Sequence, residues 1–327
     1  MRQECYEYFR CFSHSSILFG EDGENTVKKF ACLSLVNSRD EIPVKHSVSR
    51  LSQTWEFDKY IQKFNPFVIS ELKFQGAQGY YVKLPLTASD MSGESYVSVI
   101  EKTLSALKEY NVDIVLPSKD IPANLLSGIN IADGNRLAPF FMNQVFSLFG
   151  KRKHDVVIVD GEESYSLIDN LHKWVNSLTI LTDNNKIDGY NEKTAKAAAE
   201  SGLVISVCSS SNVLKNSSFV INKSDCLRNY IFAIQKNAVV FDLAGNKRLG
   251  ELAAARPDLH MFSSRDIMLE VEGRRTPLAQ YEVSLYLQLD AYREIQRGNF
   301  LPGYADEVCR TLASEAKVVA LKPYDGG

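Results

Sequence analysis

No charge of either sign dominates this chain. Its 327 residues carry 37 Lys and Arg against 40 Asp and Glu, a formal net charge of −3. Without a global basic excess, nucleic acid is not expected as the main partner, although a local patch could exist. No apolar run approaches the roughly 18 to 20 residues that a membrane span needs. The N-terminal stretch MRQECYEYFRCFSHSS carries charges where a signal peptide has its apolar core. Cysteine is sparse and scattered at Cys5, Cys11, Cys32, Cys208, Cys226 and Cys309, with no CxxC pair. The five histidines are equally dispersed. Neither a disulfide framework nor a metal site is expected, and reduced thiols suit a cytoplasmic protein.

What remains is the composition of a globular protein, 45% hydrophobic and 24% charged, on a chain long enough for two domains. The second half is the more regular. DVVIVDG is a short β-branched run ended by Gly161, as a buried parallel strand should be. EESYSLIDNLHKWV follows, with Leu167, Ile168, Leu171, Trp174 and Val175 on one helical face. Strands SLTILTDN, LVISVCS, SFVINKS and AVVFDLAG then alternate with helices NEKTAKAAAESG and CLRNYIFAIQKN, and LHMFSSRD reads as a further strand. This alternation predicts right-handed crossovers and a doubly wound parallel sheet, a Rossmann-like arrangement with its ligand at the carboxyl ends of the strands.

The first half is α/β as well. FACLSLV, GYYVKLPLT and VDIVLP read as strands, and GESYVSVIEKTLSALKEYN as an amphipathic helix. The expected organisation is an N-terminal α/β substrate domain over 1–134 and a linking helix over 135–153. A Rossmann-like nucleotide-binding domain over 154–270 follows, with C-terminal helices over 271–327 that pack back on the cleft. Those helices fit equally well inside a monomer or in a homodimer interface.

At the end of the first strand of the Rossmann-like domain, most of the glycines of a dinucleotide loop are missing. Such a loop uses one glycine for the tight turn, one for close approach of the pyrophosphate and one for helix packing. Gly161 takes the middle role, and Ser164 is a small residue in the third place. Val159 stands in the first, and Glu162 and Glu163 bring negative charge to the helix end where a phosphate would sit. Asp183 lies about twenty residues on, where an acid accepts hydrogen bonds from ribose hydroxyls and favours NAD over NADP. The plain alternative is that TDNN is a polar turn capping the next helix. Ser209, just past a strand, is placed to contact the cofactor or to cap the short helix after it.

The order of segments from GLVISVCSSSNVLKNSSFVINKSD to NAVVFDLAGNKRLGELAAARPDLHMFSSRDI resembles the nucleotide-binding domain of the glutamyl-tRNA reductase, shikimate dehydrogenase and acyl-ACP reductase group. VFDLAGNKRL is similar to that group's Asp-bearing strand motif, with Gly245 in place of the usual proline. VKLPLT and LPSKD resemble strand-end motifs of methylenetetrahydrofolate dehydrogenase, and ADGNRLAPFFMNQVF is similar to the helix that links the two domains. The resemblance implies two α/β domains and a nicotinamide cofactor, NAD or NADP. It departs at chemistry: no motif marks Cys5, Cys11 or Cys32 as a thioester nucleophile, and the Lys-Asp pair of shikimate dehydrogenases has no clean counterpart.

If a hydride is transferred, a lysine with a lowered pKa is a suitable proton donor. Lys83, Lys119 and Asp120 lie at strand ends that would face a cleft, and Asp133 and Asn135 open the linking helix where a substrate would bind. The plain readings are a solvated strand residue, a surface turn and a helix cap. The expectation is an NAD(P)-dependent oxidoreductase acting on a small metabolite or acyl substrate in an interdomain cleft. The alternatives are a binding or scaffold protein with a decayed nucleotide site, holding no cofactor, and a binder of another adenosine ligand such as S-adenosylmethionine.

Overall fold

The computed structural model describes residues 28–38, 68–74, 77–92, 95–121, 125–150, 154–159, 175–224, 227–244, 254–299 and 301–322. The chain divides into two compact units, residues 1–132 with 283–290, and residues 133–282 with 291–327. Both are α/β, and the second holds the doubly wound sheet.

In the first unit, β1 (Lys29–Leu35), β3 (Ala77–Leu84), β4 (Ile114–Pro117) and β5 (Asn130–Ile131) run parallel, and β2 (Val68–Phe74) closes the edge antiparallel to β3. The sheet order is β2-β3-β1-β4-β5. Alternation decides what each face buries. Ala31, Leu33 and Leu35 share a buried cluster with Tyr80, Val82 and Leu84, and helix Ser95–Glu109 covers them with Val99, Ile100, Leu104 and Leu107. On the opposite face the ring of Phe30 lies against Gly79, its register partner in β3, so closely that a Cβ there would meet ring carbons at 2.3 to 2.8 Å.

The second unit carries six parallel strands: β6 (His154–Val159), β7 (Val175–Leu181), β8 (Val204–Cys208), β9 (Phe219–Asn222), β10 (Val239–Asp242) and β11 (His260–Ser263). Their order is β11-β10-β9-β6-β7-β8. The chain therefore starts in the middle at β6, builds outward through β7 and β8, returns to β9 and builds outward the other way. The two halves diverge between β6 and β9, the switch point of a doubly wound fold. Val157 and Val159 face a cluster with Leu181, Leu214, Val220, Ile231 and Val240. Helix Ala138–Leu148 packs on the other face, where the Phe146 and Phe219 rings lie 4.4 Å apart. It begins with Pro139 in its first turn, where a missing N–H costs nothing.

Two stretches differ from the sequence reading. The helix expected over CLRNYIFAIQKN is only a short turn, Leu227–Tyr230, continued by a 3-10 turn to Ala233. The helix expected through KVVAL stops earlier: Pro302–Glu315 is helical and Ala316–Leu321 is a strand, β14. β14 pairs antiparallel with β12 (Ile267–Val271), which also forms a hairpin with β13 (Arg274–Pro277). This small sheet is present beside the expected helices Leu278–Gln288 and Asp290–Gln296.

Candidate functional site

The carboxyl edge of the six-stranded sheet is where a doubly wound fold binds its ligand. On the β6 side, Val159 is the last strand residue, 2% exposed and packed into the core. Its neighbours Gly161 and Ser164, with Glu162 and Glu163, lie outside the described residues. Asp183 is exposed, two residues past β7, at the N-cap position of a 3-10 turn, and its side chain makes no capping bond. The turn that this residue opens is therefore held without its carboxylate. The Thr182 amide donates to the Cys208 carbonyl at 2.9 Å and ties the ends of β7 and β8 together.

Past β8, Ser209 is exposed, and it is Ser210, not Ser209, whose hydroxyl caps the next turn by accepting from the Asn212 amide at 3.4 Å. Cys208 is half-buried, with only a long contact from Sγ to the Ser210 carbonyl at 3.9 Å. Across the switch point, Asn222 and Asp242 end β9 and β10 and are both buried. Asn222 Nδ2 donates to Asp242 Oδ1 at 2.6 Å, and the Ala244 amide donates to the same oxygen at 3.2 Å. This is the Asp of the VFDLAGNKRL motif, and it fixes the chain as it leaves β10.

In the first unit, Lys83 lies near the end of β3 opposite Ser34 of β1, and Lys119 and Asp120 form the turn directly after β4. All three are at the carboxyl edge of that sheet. β1 separates β3 from β4, so their strands are roughly 10 Å apart.

Asp133 and Asn135 fall in the second unit and are bound to each other. The Asn135 amide donates to Asp133 Oδ1 at 2.9 Å and Asn135 Nδ2 to Oδ2 at 2.8 Å. Ser264 Oγ, past the end of β11, lies 2.8 Å from the Asp133 carbonyl and 2.6 Å from Asn135 Oδ1, and its single hydroxyl proton can serve either acceptor. Asp133 is half-exposed as a residue, but its carboxyl is enclosed, and burial raises its pKa against the opposing pull of Asn135, Arg265 and Arg136.

Beside this turn lies a group that sequence reasoning missed. Glu282, fully buried, accepts the Gly134 amide at 2.6 Å on Oε2, and Tyr292 Oη at 2.5 Å and Gln296 Nε2 at 2.7 Å on Oε1. Burial first, and the charge of Asp133 second, push its pKa up to about 8. One signal was available: Glu282 interrupts the apolar run YEVSLYL, where a carboxylate has no solvent to face.

Among the described residues, no helix is long and apolar enough to cross a membrane, and no group of three or more His, Cys, Asp or Glu could hold a metal. No family model and no curated protein matches the chain. Solved structures that match the chain include the L-tryptophan dehydrogenase of Nostoc punctiforme, at 12% identity and a TM-score of 0.32, covering 93% of this chain and 89% of that one. The Mycobacterium tuberculosis shikimate dehydrogenase matches at 12% identity and a TM-score of 0.32, covering 87% and 99%. An aspartate transcarbamoylase from Trypanosoma cruzi matches at 13% identity and 0.30, covering 72% and 76%. The neighbours thus include shikimate dehydrogenases, the group that the segment order resembles. At these scores the likeness carries no inference about this chain, and a transferase is among the matches.

Proposed function

We propose that the chain is an NAD(P)-dependent oxidoreductase acting on a small molecule, with the cofactor lying across the carboxyl edge of β6 to β11. The strand order carries this reading: six parallel strands wound outward both ways from β6 make the crevice in which dinucleotides bind. Asp183 supports NAD over NADP, being exposed at the end of β7 with a carboxylate that its own turn does not use. Gly161, Ser164 and Ser209 would line the phosphate and nicotinamide side. Lys83, Lys119 and Asp120 would be the groups to test for proton transfer, and Asp133 and Asn135 for substrate contact.

A second reading has its own observation. Val159 occupies the first glycine position with a side chain packed into the core, and two glutamates follow Gly161. A fold that has kept its shape and lost its dinucleotide would look like this, and so would one that binds another adenosine ligand.

Titration of the full-length protein with NADH and with NADPH, read by nicotinamide fluorescence and thermal shift together, separates these readings. The expected outcome is saturable micromolar binding with NADH preferred, weakened about tenfold or more in Asp183→Ala, since a bond to a charged acceptor is lost. Absence of binding for both nucleotides by both methods would sink the oxidoreductase reading. Thermal stabilisation by S-adenosylmethionine alone would then favour another adenosine ligand.

A further inference from the structure

Glu282 has no solvent exposure, yet its carboxyl joins three segments of the second unit. The Gly134 amide reaches it from the turn at 133–137, and Tyr292 and Gln296 reach it from helix Asp290–Gln296. The Arg136 guanidinium also donates to the Gln296 carbonyl, and Gln296 Nε2 to Tyr292 Oη at 3.0 Å. Three donors on one carboxylate would make a plain structural strut. Asp133 changes that, because it places a second enclosed carboxyl beside the first.

Among the described residues, the charged and titratable groups around Glu282 are few. The turn contributes Asp133 and Arg136, and helix Asp290–Gln296 contributes Tyr292. Arg265, after β11, acts on Asp133. On the same helix as Glu282, Tyr281 is engaged elsewhere, donating to Glu315 at 3.0 Å. Arg136 is exposed, so its compensation is screened by water. Two buried carboxylates cannot both ionise cheaply. A proton on Glu282 keeps the contacts intact, since the Tyr292 hydroxyl can accept as well as donate.

We propose that Glu282 and Asp133 form a proton-gated clasp: a proton held on Glu282 fastens the 133–137 turn to helix Asp290–Gln296, and its loss to solvent lets the fastening open. No covalent bond other than the carboxyl O–H is broken. Both carboxyls have raised pKa values, that of Glu282 reaching about 8. The closed form therefore keeps a proton that the open form, with an ordinary carboxyl near 4.5, gives up. The clasp does not depend on the proposed cofactor.

Hydrogen exchange of the full-length protein, followed by mass spectrometry from pH 5.5 to 9 and corrected for intrinsic rates, tests this directly. Peptides spanning 133–137 and 290–296 report the opening, and the Gly134 amide is itself one of the donors. The opening should rise about tenfold per pH unit below about pH 8 and then level off. Glu282→Gln, neutral at every pH, should abolish that rise. Asp133→Asn, which removes the like charge, should move the levelling point to lower pH. A flat wild-type profile, or the same rise in Glu282→Gln, would overturn the proposal. Should Glu282→Gln fail to fold, wild type and Asp133→Asn decide alone: a levelling point unmoved by Asp133→Asn refutes the clasp.

Discussion

At position 79 the fold has room for a hydrogen and nothing larger. Phe30, across the strand pair, is fully buried, and its ring fills the space that a Cβ would take. The ring cannot swing into solvent, so Gly79→Ala must shift backbone or core. The expected cost is about 1–3 kcal/mol, read as a lower denaturation midpoint at unchanged slope. Phe30→Leu in the same chain should cost less on the Gly79→Ala background than alone, because the two changes share one volume. Such residue-scale facts are hard to read in a sequence. Gly79 looks like any glycine opening a strand, and only register brings Phe30 opposite it. Glu282 is hidden for the same reason, since its partners Gly134, Tyr292 and Gln296 are brought together by packing. Asp183 could be found because its place follows from one strand end and a count along the chain.

Elements were easier to read where one periodicity dominates. The β-branched run of β6 and the apolar face of helix Ser95–Glu109 each announce themselves within a few residues. β14 is hidden because Ala313 and Glu315 before it favour a helix, while Val318-Val319 favours a strand once β12 offers a partner. Its pairing is reinforced from helix Ala138–Leu148, where Gln144 Oε1 accepts the Val318 amide at 2.7 Å. The β12–β13 hairpin is a two-residue turn, with Glu272 at φ 50° and Gly273 at φ 75°. Both central residues at positive φ match the twist of the flanking strands. No atom lies within 4 Å of a Cβ added at Gly273, so Gly273→Ala meets only backbone strain. It should cost about 1 kcal/mol, a lower thermal midpoint with no change in β-sheet content by circular dichroism. A loss as large as that of Gly79→Ala would mean that the strand pairing itself had slipped.

At the scale of the molecule, the strand order follows from the alternation of elements, while stability against pH depends on groups that no alternation reveals. Glu282, raised by burial, binds its proton more tightly folded than unfolded. Its contribution is full below about pH 4.5 and is lost as pH rises through about 8. His154 has the opposite sign. Its ring stacks on Phe146, its Nε2 finds no hydrogen-bond partner among the described residues, and burial lowers its pKa. The stability held by neutral His154 is present above about 6.5 and lost as pH falls through its lowered folded value. Just below pH 6.5 the two slopes oppose each other. From 6.5 to 8 Glu282 keeps its proton in the folded chain and has lost it in the unfolded one, so its contribution to stability should fall by up to about 1.4 kcal/mol per pH unit. Cys309 and the buried Tyr281 and Tyr292, all raised, enter only above pH 9. Calorimetric midpoints of the second unit's transition should therefore fall more steeply between pH 6.5 and 8 than just below 6.5, where His154 opposes Glu282, and flatten above 8. In Glu282→Gln the decline should vanish, and removal of the opposing term should leave a midpoint that drops steadily below pH 6.5. A wild-type profile that stays level between 6.5 and 8 would mean that Glu282 is ionised in the folded state at neutral pH and that its three donors outweigh its burial.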